Sequence, residues 1–465
     1  MIDEQPSTAA PEPLELVRFR RIAGSWVITT DWGAWAVLQS DEARAFVEGR
    51  MAPSDPAFAT LAERGLIRDA VSAEQAGRQI GERRSSAFWG PFHHTLNLTH
   101  GSPADTAPMS PETAELCVDF VFKSTSPRLT IAFQGPAALA NAEALERAVA
   151  AAHERNADVH KPLTLELVSD LDGLDQDRLD WLLARGFCMR VQVRAADFVR
   201  ADAPVWKWLR LIVEARSAAE GEHAVPAPEV VVEPTREVVG LADAILDRCS
   251  AVGVERLRLA PPSPPPLALG QVDTCDLDAW LDFYETTVAA LIVRGVAGGT
   301  LVESTFALLL ARILRPRDSH DPLVRSPATD GVGRLAYAAD GTVCSSDEGR
   351  VLHDQGDESF RLGRAGEDSY RDIVAHATVR ALVVATVLEG QPGCTDCAYL
   401  PFCGQSPAHN HCEQGTIQGR MADSSWCKRM MRFADLAFGR LSAASAEERA
   451  VLESWAASAA PSDID

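Results

Sequence analysis

The sequence contains no apolar run of the roughly 18 residues that a membrane-spanning helix needs. Basic residues are in deficit: 44 Lys and Arg stand against 66 Asp and Glu, a formal net charge of −22. Nucleic acids and anionic membranes are read by clustered Lys and Arg, so neither is expected as a partner. The opening stretch, MIDEQPSTAAPEPLE, lacks the basic and apolar regions of a secretory signal. A cytoplasmic protein is therefore expected. Cysteine is scarce, 10 in 465 residues, too thin for a disulfide scaffold. Cys117, Cys188, Cys249 and Cys275 are scattered through apolar or helical stretches, where free thiols are commonly buried. Five others crowd between Cys394 and Cys427. Without an export signal, that crowding points to a metal rather than to disulfides.

What is present suggests two to four domains, at roughly 100–200 residues each. Residues 1–14 read as disordered and 15–80 as a small α+β module. Trp26-Val-Ile-Thr-Thr and Trp35-Ala-Val-Leu read as a hairpin turning at Asp31-Trp32-Gly33, with two helical stretches after it. Such a module would either bind a peptide by strand addition or serve as a packing extension of the next domain. Its removal is expected to leave metal content intact. From 90 to 265, strand candidates at 94–99, 128–134, 162–169, 188–194, 228–233 and 254–260 alternate with helical stretches. Ser110 followed by Pro111 is a strong helix start. Six alternations imply a parallel sheet, open or closed into a partial barrel, with its site beyond the C-terminal strand ends. Pro261–Pro266 breaks the pattern, 266–325 reads as a helical connector, 326–440 as a Gly- and Cys-rich domain and 441–465 as a tail.

The strongest chemical signal is Cys394-x2-Cys397-x5-Cys403, with Cys427 24 residues further on. Four thiolates close a tetrahedral zinc site or hold the irons of a [4Fe–4S] cluster, and the spacing alone admits both. Unligated buried thiols are the plain alternative. Tyr399, Pro401 and Phe402 lie between the ligands and would keep water away.

Gly393-Cys-Thr-Asp-Cys-Ala-Tyr-Leu-Pro-Phe-Cys-Gly404 resembles the C-terminal SPASM domain of radical SAM peptide maturases, and most closely that of the His-Xaa-Ser peptide system. The likeness extends through Ser326-Pro-Ala-Thr-Asp-Gly-Val-Gly, Asp340-Gly-Thr-Val-Cys-Ser-Ser-Asp-Glu-Gly-Arg, Phe360-Arg-Leu-Gly and Trp426-Cys-Lys-Arg-Met-Met. It also reaches Met109-Ser-Pro-Glu-Thr-Ala, Phe133-Gln-Gly and Arg258-Leu-Ala-Pro-Pro-Ser. The resemblance implies a radical SAM partial (β/α)6 barrel, a SPASM-like domain and one auxiliary [4Fe–4S] cluster on Cys394, Cys397, Cys403 and Cys427. A second auxiliary cluster is not implied, because its cysteine falls at Pro407. Cys344, Cys412, His409 and His411 are the candidate substitutes, with a polar loop around 409–412 as the plain reading.

The resemblance also shows what is missing. Its members carry Cys-x3-Cys-x2-Cys after the first barrel strand to hold the cluster that cleaves S-adenosylmethionine (SAM). Here Thr95-Leu-Asn-Leu-Thr-His-Gly-Ser-Pro-Ala-Asp-Thr-Ala-Pro-Met109 has no cysteine. His100 and Asp105 are the only replacement ligands it offers, and a solvated loop is the plainer reading. The Gly-Gly-Glu-Pro motif that would hold SAM has become Phe133-Gln-Gly-Pro-Ala-Ala138, and Val191-Gln-Val-Arg-Ala-Ala-Asp197 lacks the expected Ser-x-Asp-Gly turn. SAM is therefore not expected as a cofactor. The expected function is a catalytically degenerate accessory or scaffold subunit in peptide maturation. Its partners would be a precursor peptide, an active radical SAM maturase, or both. An active maturase using the remaining cluster, and a zinc-stabilised adaptor, are the alternatives.

Overall fold

A computed structural model describes residues 17–67, 71–85, 89–100, 107–135, 138–218, 225–268, 273–315 and 321–459. Residues 1–14 lie outside them. The expected hairpin is present. Strands β2 (Ser25–Thr30) and β3 (Trp35–Leu38) pair antiparallel around Gly33, whose φ of +84° suits glycine. A further strand, β1 (Val17–Ile22), adds to β2 on the other side. Three helices follow, at Ser40–Val47, Pro56–Glu63 and Ala73–Glu82, one more than the sequence suggested.

The two faces of this three-stranded sheet are used differently. Period-2 alternation turns Val17, Phe19, Ile28, Ala36 and Leu38 toward Phe46, Leu61 and Leu66 of the module's own helices. The other set includes Ile22, Val27, Trp35 and Val37, which pack into the main core of the protein. The sheet is thus packed between the module's own helices on one face and the main core on the other.

The main sheet starts with β4 (His93–Asn97), followed by the small hairpin β5 (Thr99–His100) and β6 (Ala107–Pro108). It continues through β7 (Leu129–Gln134), β8 (Leu163–Ser169), β9 (Cys188–Val193), β10 (Glu229–Val232), β11 (Arg256–Leu259) and β12 (Val302–Glu303). From β4 and β7 to β12 the strands lie side by side in chain order and pair in parallel, which is the winding of an open barrel. The six expected strands are all there. β12 was too short to read from sequence. β13 (Arg334–Tyr337) pairs in parallel with the free edge of β4, and β14 (Thr342–Cys344) and β15 (Arg361–Arg364) follow antiparallel. The helix at Pro111–Val121 starts as expected, with Ser110 Oγ accepting from the Thr113 N–H. Within 441–465, the helix Ala446–Ser458 buries Leu452 and Trp455, and Trp455 meets Phe306 edge to face at 6.3 Å.

On each barrel strand the apolar set packs against the outer helices: Leu165 and Leu167, Met189 and Val191, Val230 and Val232, Leu257 and Leu259. The alternate set is charged and crosses the sheet as a ladder. His93 Nε2 stands 3.7 Å from Glu166, Arg190 bridges Glu166 (3.4 Å) and Glu229 (3.5 Å), and Arg258 reaches Glu229 at 3.1 Å. Burial pushes the two carboxyls up. The Arg190 and Arg258 guanidiniums outweigh it, with His93 helping at Glu166, and hold both at about 2.

Arg190 is partly exposed and Glu229 keeps Arg258, so Arg190→Met mainly strips Glu166 of its guanidinium. The variant is expected to cost about 1–3 kcal/mol in urea unfolding at pH 7. The carboxylates' contribution is complete above their unfolded pKa of roughly 4.3 and is lost as pH falls toward 2. In the variant the carboxylates' contribution should be smaller, and its loss complete at higher pH. Equal stability of the two proteins at pH 7 would show that the ladder does not hold the barrel.

Candidate metal centre

The cysteine loop is a chain of tight turns. Cys394 N–H donates to Gln391 O, Cys397 N–H to Cys394 O, Leu400 N–H to Cys397 O and Phe402 N–H to Tyr399 O, at 2.9–3.1 Å. Such turns bring thiols two or three residues apart toward one side. Gly404 N–H ties the end of the loop to Leu323 O at 2.9 Å. Cys427 arrives from elsewhere, in the first turn of the helix Ser425–Ala443, whose cap Ser424 accepts from the Cys427 N–H at 3.3 Å. A helix N-terminus favours the thiolate form.

All four thiols are half-buried and unpaired with other cysteines. Burial pushes Cys394 up to about 12 and Cys403 higher still, and raises Cys397 and Cys427. The next causes are the thiols themselves: Cys403 feels the charges of Cys397, Cys394 and Cys427, and Cys427 that of Cys397. The fold has therefore gathered the four sequence-predicted ligands into one neighbourhood. As they stand, no group of three or more His, Cys, Asp or Glu side chains that could hold a metal ion is present among the described residues. Chemically the set still suits a cation. Mutual repulsion of thiolates is what a bound metal relieves, and soft donors select zinc or iron–sulfur. The neighbours agree. Arg429 is buried with its Nε unpartnered, and its charge faces Cys403. Tyr399 stacks on Phe438 at 5.6 Å, with Phe402 edge-on to the same ring at 5.5 Å, forming the apolar shell.

The N-terminal module covers this loop. Arg18 Nε donates to Thr395 O at 2.5 Å, between Cys394 and Cys397. Thr29 Oγ1 donates to Ala398 O at 2.7 Å. Arg20 pairs with Asp435 at 2.8 Å, and Asp435 also accepts from Tyr399 Oη at 2.5 Å. Trp35 Nε1 donates to Ile313 O at 3.1 Å and its ring meets Phe438 at 5.3 Å. Deleting the module would strip these bonds from the ligand loop, so the expectation that its removal leaves metal content intact does not stand. Sequence reasoning missed this lid because its signal is two arginines in a strand, which read as solvated charge.

The other candidates do not join the thiols. His409 is buried against Trp426, with Nε2 2.8 Å from Ser425 Oγ, and burial holds it neutral, down to about 3. His411 Nε2 lies 2.7 Å from Asp357 Oδ2. Cys412 packs against the small cluster of Leu352, Phe360, Leu382 and Ala408, and Cys344 is fully buried in β14. Residues Pro407–Gln414 form a helix where a polar loop was the plain reading.

At the mouth of the barrel, His100 contributes backbone to β5; its side chain and Asp105 lie outside the described residues. The loop after β4 is clamped at its base. Leu98 N–H donates to Gln134 O and Met109 N–H to Leu98 O, both at 2.8 Å, and Asn141 Nδ2 donates to Leu98 O and Met109 O. Gly135 sits against this clamp with φ +137°. A Cβ there would stand 2.5 Å from Thr99 Oγ1 and 2.8 Å from Asn97 Oδ1.

No family model and no curated protein matches the chain. Solved structures do. The structure of anSMEcpe with bound AdoMet and Cp18Cys peptide superposes at a TM-score of 0.61 with 14% identity, over 76% of this chain and 98% of that one. Streptococcus suis SuiB bound to precursor peptide SuiA gives a TM-score of 0.51 with 10% identity, over 90% and 100%. SuiB bound to S-adenosylmethionine matches over the same shares. This chain has the fold of anSMEcpe and of SuiB, a large parallel sheet with many helices and a further C-terminal domain. At these identities the likeness is one of fold.

The clamp gives a direct test. Gly135→Ala should lower stability by about 1–3 kcal/mol through the positive φ and the contact with Thr99. Adding Thr99→Ala should recover part of that loss in urea unfolding. An alanine tolerated without cost would mean that the two strand ends do not need this close approach.

Proposed function

We propose that this chain is a maturase-fold accessory subunit for a ribosomally made peptide. It would carry one [4Fe–4S] cluster on Cys394, Cys397, Cys403 and Cys427, cleave no SAM and work in the cytoplasm. The observation that carries the reading is a contrast within one fold. Four thiols gather at the C-terminal domain, while the loop after β4, where a SAM-cleaving cluster would be held, has no cysteine in its sequence. Three of the other thiols, Cys117, Cys249 and Cys344, are fully buried, and burial pushes Cys344 and Cys249 up to about 12. A cluster on the four cysteines would supply one-electron exchange. The chain's own residues would hold the loop, exclude water and present a peptide-binding surface.

Partners follow from the fold. SuiB and anSMEcpe have each been solved with a peptide, which supports a precursor peptide as the ligand here. The barrel mouth and the open edge of the N-terminal sheet are the surfaces available to it. An active maturase of the same fold is the second partner, by analogy of fold. Among the described residues no helix is long and apolar enough to cross a membrane. One observation favours an enzyme instead: both neighbouring folds have been solved with SAM bound.

Two measurements separate the readings. Protein purified without air should contain about four iron and four sulfide per chain. Serine at Cys394, Cys397, Cys403 or Cys427 should lower iron content and melting temperature together, since metal binding contributes to folding. Cys117→Ser and Cys249→Ser should leave iron unchanged. Stoichiometric zinc with no iron would replace the cluster by the adaptor reading. Second, incubation with SAM and dithionite should give no 5′-deoxyadenosine above background. Repeated turnover would establish the enzyme and direct attention to His100 and Asp105.

A further inference from the structure

We propose that the start of the helix Asp347–Asp354 forms a pH-sensitive joint between the barrel and the C-terminal domain, closed while Glu348 holds a proton and loosened once it ionises. The joint lies where the C-terminal domain enters the main sheet. β13 runs along the edge of β4, with Arg334 opposite His93, and β14 leads from β13 into the helix.

Four carboxylates meet two guanidiniums there. Arg334 Nη2 lies 3.2 Å from Asp330 and 3.1 Å from Glu348. Arg350 Nε lies 2.7 Å from Asp347, and its Nη1 2.5 Å from Asp354. Each guanidinium therefore serves two carboxylates, and ionising all four leaves the cluster two charges negative. Asp330 is fully buried, Arg350 is 4% exposed and the Arg334 side chain 16%. Out of water, like charges repel more strongly. The hydroxyls of Thr329 and Ser345, next in sequence to the cluster and fully buried, have no hydrogen-bond partner among the described residues, so neither donates to these carboxylates.

The surplus has one place to settle. At Asp347, burial pushes the carboxyl up, and the Arg350 guanidinium, with the Gln134 amide beside it, outweighs burial and holds it low. Glu348 goes the other way. Burial raises it, Arg334 opposes without prevailing, and Asp330 and Asp347 push it further up. The positive end of the helix dipole favours the carboxylate here and falls short as well. Arg350 and Asp354 stand behind Asp347, and Asp321 faces Arg334 from the segment before β13. A carboxyl raised in the fold binds its proton more tightly there than in the unfolded chain. Glu348 thus stabilises the joint fully below its unfolded value of roughly 4.3, and that contribution is lost as pH rises through the folded value. Once ionised, Glu348 stands against Asp330 and Asp347 with only Arg334 to answer three carboxylates that Arg350 serves in part.

The test is hydrogen exchange of the full-length protein from about pH 4.5 to about pH 7.5, corrected for the intrinsic rate and read on segments 328–337 and 342–354. In the parent, protection of both segments should fall several-fold toward the upper pH, while the helix Ala242–Val252 stays constant. Glu348→Gln should keep both segments at their low-pH protection throughout. Asp330→Asn leaves Arg334 to Glu348 and should move the change to lower pH. Glu143→Gln, which removes an exposed carboxylate from the helix Ala142–Val159, should follow the parent. If Glu348→Gln fails to fold, Asp330→Asn against Glu143→Gln decides. Protection that is flat across the range in the parent, or that falls equally in the parent and in the Glu348 and Asp330 variants, overturns the inference.

Discussion

Four thiols cannot ionise side by side in a half-buried loop unless something positive stands among them. That constraint organises the C-terminal half of the protein. Burial and mutual repulsion both push the four thiols toward the neutral form. The opposing influences are the start of the helix Ser425–Ala443 and the Arg18 and Arg20 side chains of β1. Arg429, buried in the same helix, feels the charge of Asp321 first and of Cys403 next. In the proposed centre, a cation bound among the four thiols would relieve that repulsion directly.

The same constraint accounts for the place of the N-terminal module. A three-stranded sheet with one face on its own helices has a second face to cover. Val27, Trp35 and Val37 bury that face in the main core, and full burial of Val27 contributes on the order of 1.5 kcal/mol. Apolar burial fixes that the sheet docks; the polar bonds fix where. Arg18 to Thr395 O and Thr29 to Ala398 O engage backbone carbonyls of the ligand loop, whose positions depend on the loop's turns.

Much of this could be read from sequence where a local signal existed. The alternation in Leu129–Gln134, Leu163–Ser169 and Cys188–Val193 marked barrel strands, and Ser110 with Pro111 marked a helix start. The Cys-x2-Cys-x5-Cys loop and distant Cys427 marked the ligand set, and the fold brings them together. What escaped was non-local or disguised. β1, Val-Arg-Phe-Arg-Arg-Ile, carries three arginines in six residues and reads as solvated, because its polar face meets a loop nearly 400 positions away. β13 joins β4 across some 240 residues, and no local pattern announces a parallel pairing at that separation. Arg83, which packs into the space left by Gly33 and donates to the carbonyl of Pro401, has no sequence signature.

The two ends of the molecule differ in what holds them together. In the barrel, the ladder from His93 to Arg258 and the apolar strand faces hold the sheet with no ligand present. The loop after β4 is clamped at its base by Gln134, Asn141 and its own backbone, and nothing in the clamp uses a thiol. At this end the loop is held by backbone and amide bonds alone. At the C-terminal domain the ligand loop, the helix Ser425–Ala443 and the module meet at the thiols, and buried guanidiniums surround them. Loss of one cysteine there would leave the remaining thiols and the arginines without their shared partner. Burial of uncompensated charge would then weaken three elements together.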